Sequence, residues 1–358
     1  MQLELTEKFL AKLLAYGASL TTIFLISGGV TDPVNAPKLL ILGIFGTAGA
    51  VIVFSSRMRI RLQNFKLILC GLTVFLISII ISSFHSKAPL TQLLYGTYGR
   101  NNGVLTYIFL IFALISMIVI QNKINFKYIV QGILFAGIIN LAYNFWVIVF
   151  GDFVGWHNPF GNILGTLGNP NFIGSFLGII FSTLFALVLE NRISIKYRIY
   201  SFFLLPLCAF EILESHAVQG RVVAVAGITL VTFLFLRSKS SHLIVVSYSI
   251  LVLSVGILAL LGALQKGPFS QYIYKYSVSL RGQYWLAGWN TGQSHPFSGV
   301  GMDAFGDWYR RMRDAHALEV PGVNTVVNAA HSVPLDMFAF GGWPLLLSYL
   351  FIMGYSAL

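Results

Sequence analysis

Charge is what this sequence has least of. Asp, Glu, Lys and Arg make up 10% of its 358 residues, against about 25% in soluble domains. That excludes a string of water-exposed globular domains. Hydrophobic residues reach 56% and mean hydropathy is +0.79, so an integral membrane protein built as one polytopic bundle is expected. Acidic residues are the scarcer sign, 12 Asp+Glu against 23 Lys+Arg. The resulting net charge of +11 is partly topological and partly suited to an anionic substrate or lipid. Cysteine is nearly absent. Cys70 and Cys208 both fall inside apolar runs, which argues against a disulfide. No CxxC or HExxH spacing occurs, so no metal ligand set is expected. Neither a cofactor nor a nucleic-acid partner is expected. Repeats, heptads and low-complexity stretches are lacking too. Met1–Lys8 is as acidic as it is basic, and the run that follows is long enough to span, unlike a cleavable signal.

What is there is a series of apolar runs. A span needs roughly 20 mostly apolar residues. Ten are expected, at 9–28, 39–55, 67–84, 103–120, 129–150, 172–190, 199–214, 222–236, 243–262 and 335–355. The seventh and eighth are short, with only Ser215–Arg221 between them. Cations test the count. With Lys8 and Lys12 in the cytoplasm, the inner loops carry Arg57, Arg59, Arg61 and Lys66, then Lys123 and Lys127, then Arg192, Lys196 and Arg198, then Arg237 and Lys239. The short outer loops carry only Lys38, Lys87, Arg100 and Arg221. The fold class that follows is all-α: a polytopic transmembrane helix bundle with a large extracytoplasmic loop between the ninth and tenth spans. Residues 1–262 form about nine spans, 263–334 the extracytoplasmic catalytic loop with short helices, and 335–358 a further span. The apolar run reaching Leu358 is expected of a chain that continues.

The polar stretch Gln265–Pro334 concentrates chemistry. It holds six of the 23 Lys+Arg, three of the seven His and three of the six Trp. Tyr284–Trp289 and Ala304–Arg313 read as short helical pieces. His295-Pro-Phe-Ser-Gly-Val-Gly301 between them reads as a turn. Four residues stand out: Arg221 after a glycine at the mouth of a span, Arg281, His331, and Arg100 in Tyr98-Gly-Arg-Asn-Asn-Gly103. At one membrane face these would converge on phosphate, which a guanidinium binds bidentately. Each has a plainer reading. Arg221 or Arg100 alone snorkels to headgroups. His331 alone is a solvated loop residue. Arg310, Arg311 and Arg313 form a lipid-facing surface. Glu211 and Glu214 pair with Arg221. Asn169-Pro170-Asn171 opens a span as ordinary start chemistry.

Together these residues resemble a family. Gly165-Thr-Leu-Gly-Asn-Pro-Asn171, Gly220-Arg221, Arg281 with Trp285 and Trp289, His295-Pro-Phe-Ser-Gly-Val-Gly-Met-Asp-Ala-Phe305, and His331-Ser-Val-Pro-Leu-Asp336 followed by Gly341-Gly342 stand in the order found in the O-antigen ligase and polymerase superfamily. The resemblance spans roughly residues 30–355. Tyr95–Tyr107 is similar to ligase-like members with extra C-terminal domains. Gly220 departs from the Ser-Arg pair frequent in the family, and the usual spans after the large loop are absent. The resemblance implies a metal-independent, inverting glycosyltransferase at the outer face of the bacterial cytoplasmic membrane. Its donor is an undecaprenyl-diphosphate-linked glycan. Its acceptor is a lipid, protein or glycan, and membrane lipids surround it. It also implies Arg221 and Arg281 as diphosphate binders and His331 as the base or orienting group. Arg100, Asn169, Asn171 and Trp285 are expected to contact substrate. Ligase is favoured over polymerase. From another class, a flippase of polyprenyl-linked glycans predicts charged mid-membrane helices and internal symmetry. Few mid-span charges and no repeat are found. A non-enzymatic scaffold leaves the clustered cations without a use.

Overall fold

The computed structural model describes residues 2–26, 29–56, 62–156, 158, 161–274 and 276–357. Arg57, Arg59, Arg61, His157 and Lys275 lie outside the described residues. The fold is all-helical, 76% helix, with no strand among the described residues. In chain order the helices are α1 (Gln2–Ile23), α2 (Asn35–Ser55), α3 (Leu62–His85), α4 (Leu90–Tyr95), α5 (Val104–Ile118), α6 (Phe126–Phe150), α7 (Pro170–Leu189), α8 (Ile195–Glu214), α9 (Val218–Lys239), α10 (His242–Ala263), α11 (Ser270–Ile273), α12 (Tyr276–Ser294), α13 (Phe305–Met312) and α14 (Val333–Ala357).

Ten spans were expected. Among the described residues, seven helices are long and apolar enough to cross a membrane: α2, α3, α6, α7, α9, α10 and α14. The shortfall has physical causes. α5 is apolar but has only 15 residues. α1 carries Glu4, Glu7, Lys8 and Lys12, and α8 carries Lys196, Arg198, Glu211 and Glu214. Charges at that density are expensive in hydrocarbon. The expected first span also ends early, at Ile23. There Lys38 Nζ donates to the carbonyl of Thr21 at 3.0 Å and to that of Thr22, a cation placed on a helix C-terminus.

About half of the segment expected as a large loop is helical. Tyr284–Trp289, expected as a short piece, lies within the 19-residue α12. The second expected piece, Ala304–Arg313, corresponds to α13.

The chain forms two compact units. The first comprises Met1–Thr6, Gly43–Gln121 and Leu260–Leu358; the second comprises Glu7–Leu42 and Asn122–Ala259. In the first, α14 packs on α3 and α12. Its core includes Phe75, Ile79, Met302, Phe305, Tyr309, Met337 and Phe340. Small residues let these helices approach closely. A Cβ on Gly288 would sit 2.9 Å from the Ala330 Cβ, and one on Gly292 would strike the Phe338 ring. α14 is broken at Gly341-Gly342, where Gly342 has φ 67°. The break frees backbone groups for the 296–301 turn. Val300 and Gly301 donate to the carbonyls of Ala339 and Phe340 at 3.0 and 3.1 Å, and Trp343 donates to the Pro296 carbonyl at 2.7 Å. Ser82 on α3 also donates to the Phe340 carbonyl. Gly299 lies against this same carbonyl, where any Cβ would collide.

In the second unit, α7 packs on α9 and α8 around Ile173, Leu177, Ile180, Cys208 and Ile212. A Cβ on Gly220 would lie 2.7 Å from the Gly174 carbonyl oxygen. A serine side chain at position 220 has no room there, which gives the departure from the Ser-Arg pattern a steric reason.

Candidate active site

α12 is held against α14 by its glycine face. Arg281 and Tyr284 stand one turn apart on it, close to His331 at the entry to α14. The Tyr284 and His331 rings are 5.6 Å apart between centroids, tilted by 46°. His331 has φ 56°, a left-handed backbone uncommon for a residue with a side chain. Its neighbour fixes it: the Ala330 N–H donates to Asp336 Oδ1 at 2.8 Å across the first turn of α14.

Burial lowers the His331 pKa below its ordinary 6.5, and the Arg281 and Arg100 charges lower it further. An imidazole so placed is neutral near pH 7 and free to accept a proton. Arg281 is partly exposed and makes no hydrogen bond or ion pair among the described residues. Trp285, one turn further along, is 45% exposed.

Arg100 is more committed. Its Nε lies 3.3 Å from Oδ1 of the fully buried Asp303, an ion pair without hydrogen-bond alignment. Asp303 also accepts from the Thr97 N–H at 2.7 Å, and the Thr97 hydroxyl donates to the Asp303 carbonyl at 2.8 Å. Burial raises the Asp303 pKa, opposed by Arg100 and the Thr97 bonds. Residues 97–100 are thereby strapped onto the turn before α13, and Arg100 still reaches His331 electrostatically.

Arg281, His331 and Arg100 are therefore brought together in the first unit. Arg221, Asn169 and Asn171 belong to the second. There Asn169 caps α7, its side-chain oxygen accepting from the Asn171 N–H at 2.9 Å, with Pro170 in the first turn. Asn171 is exposed. Arg221, in the first turn of α9, is exposed at the rim of an apolar groove of about 880 Å³ between α9 and α10. Among the described residues neither Glu211 nor Glu214 pairs with it. Glu211 instead accepts from the Asn144 amide at 3.0 Å.

The expected lipid-facing surface of α13 is also revised at Arg313. Its guanidinium turns inward over the Tyr309 ring, 5.8 Å from the centroid, and donates to the carbonyls of Gly322, Val323 and Thr325. Asp303, Asp336 and Tyr284 were passed over in the sequence. The readable signal was two carboxylates inside the two blocks that also carry the chemistry, Met302-Asp-Ala and Pro334-Leu-Asp.

Among the described residues no group of three or more His, Cys, Asp and Glu is placed to hold a metal ion. A family model described as O-antigen ligase matches residues 207–350, a range that holds Arg221, Arg281, Trp285, Asp303, His331 and Asp336. No curated protein matches the chain. With several helices apolar enough to span, the chain is an integral membrane protein, and the match supports its membership of the O-antigen ligase/polymerase superfamily.

Proposed function

We propose that this protein transfers a glycan from an undecaprenyl-diphosphate carrier to an acceptor hydroxyl on a lipid, protein or growing glycan, without a metal and with inversion. The reaction takes place at the outer face of the bacterial cytoplasmic membrane, with the N-terminus inside and residues 263–334 outside. The observation that carries this reading is the pairing of Arg281, which no acidic side chain neutralises among the described residues, with a His331 beside the Tyr284 ring whose pKa is pushed below its ordinary value. Breaking the anomeric C–O bond leaves both electrons on the diphosphate. A preorganised guanidinium stabilises that charge. His331 takes the proton from the acceptor hydroxyl as its oxygen attacks the opposite face of the anomeric carbon. Arg100 adds positive potential from its Asp303 pair. Trp285 offers an exposed ring to sugar. Arg221, Asn169 and Asn171 belong to the second unit and enter the reading by the sequence resemblance alone, Arg221 as a diphosphate ligand and the two asparagines as substrate contacts. The groove beside Arg221 suits an isoprenoid tail.

The test is transfer by purified protein in detergent with a labelled polyprenyl-diphosphate glycan and EDTA present. Release of polyprenyl diphosphate is expected. His331→Ala, Arg281→Ala and Arg221→Ala should each lower kcat by about 10² or more. Most of the activity surviving in any of them removes that residue from the chemistry. A single added glycan marks a ligase and a ladder of products a polymerase.

A further inference from the structure

The first unit holds a polar cavity of about 360 Å³ that the transfer mechanism does not use. Lys87 and Arg311 are in its wall, with Gln92, Asp307 and Trp308. Its parts are held in place. The Arg311 guanidinium lies over the Trp308 ring, 5.2 Å from the centroid. His295 meets the same ring edge-on, with 4.6 Å between centroids. Gln92 Nε2 donates to Asp307 Oδ2 at 2.9 Å. Beside Lys87, the Ser86 hydroxyl donates to the Val300 carbonyl at 2.7 Å and accepts from the Ala88 N–H at 3.1 Å.

From this arrangement we infer a binding site for an acidic saccharide, a sugar bearing a carboxylate or phosphate. Resting on the proposed transfer reaction, it makes the cavity a specificity subsite for the donor glycan or for a sugar of the acceptor. Two cations with one carboxylate leave a net positive site. An oxyanion matches the fork of Arg311, and stacking on Trp308 limits the fork's freedom before binding. Asp307 would repel a bare phosphate but accepts from a hydroxyl. A ligand carrying both an oxyanion and hydroxyl groups satisfies the whole wall. A phospholipid headgroup brings the oxyanion and also two acyl chains, for which Lys87, Asp307 and Arg311 are poor neighbours.

Binding of a glucuronate-containing tetrasaccharide to the purified protein in detergent, by calorimetry, tests this, with a neutral tetrasaccharide as control. The acidic probe should bind and the neutral one at least about tenfold more weakly. Affinity should fall as salt rises to about 500 mM. Arg311→Gln and Lys87→Gln should each weaken the acidic probe about tenfold and leave the neutral one unchanged. Trp308→Ala should weaken it and Trp308→Phe restore part of the loss. In transfer assays with acid on only the donor glycan or only a sugar of the acceptor, Arg311→Gln should raise KM for the acidic partner alone, naming donor or acceptor. Equal binding of both probes, or indifference to both charge variants, overturns the site. So does loss of binding to phosphatidylglycerol vesicles in these variants with no loss for the saccharide. His331→Ala keeps the two readings apart. It should bind the acidic probe normally while transfer is lost. Retained transfer would remove His331 from the chemistry, and no transfer by the unaltered protein would sink the reaction; either leaves the saccharide result standing.

Discussion

At the scale of the residue, the decisive property is the protonation of His331. Its folded pKa lies below 6.5 because burial and two arginines disfavour the imidazolium. The neutral base therefore predominates at pH 7 and is lost as pH falls through that depressed value. The acid limb of kcat/KM, which reports the free enzyme, should then fall below pH 6.5. Arg281→Gln removes one of the two charges. It should move this limb upward, towards the ordinary histidine value, while also lowering the maximal rate. Arg281→Lys keeps the charge, so the limb should stay while the rate drops for want of the fork. An acid limb that ignores Arg281→Gln would separate the arginine from the base. Arg281 and His331 were readable because each sits in a short block of unusual composition. The Arg100–Asp303 pair was not. Its members stand some 200 positions apart, and only the docking of two loops brings them together.

The element that carries the site is the joint between α12 and α14. α12 carries glycines at 282, 288 and 292. Two of them are contact points, where helices meet more closely than side chains allow. Neither face of α12 is apolar enough to announce a helix, so hydropathy found only its middle. The same joint sets the backbone of His331 through Asp336. Asp336→Ala leaves the Ala330 N–H without its buried acceptor, at a cost of about 1–3 kcal/mol. It should also let His331 relax from its left-handed conformation. Asp336→Asn keeps a carbonyl acceptor at the same atom. The alanine variant should therefore lose thermal stability and kcat together, and the asparagine variant should recover most of both. An asparagine variant as damaged as alanine would show that the carboxylate charge matters rather than the hydrogen bond.

For the whole molecule, the question is which side of the membrane each segment occupies. The helix inventory agrees with the sequence for seven apolar runs and departs from it at α1, α5 and α8, where charge or length falls short. Those departures matter because each span gained or lost reverses every later segment. The alternation of cations argues for an outer 263–334 segment on the ten-span count, in which α8 also crosses and Arg237 and Lys239 end α9 on the side of Arg192 and Arg198. Labelling with a membrane-impermeant maleimide can decide it. Cys70 and Cys208 are first replaced by serine, and single cysteines are placed at two exposed positions, Val323→Cys and Lys239→Cys. In intact spheroplasts the first should react and the second should not. After permeabilisation both should react. The opposite pattern would put Arg281 and His331 on the cytoplasmic side. There the acceptor and the flipped carrier are out of reach, and transfer at the outer face would have to be given up.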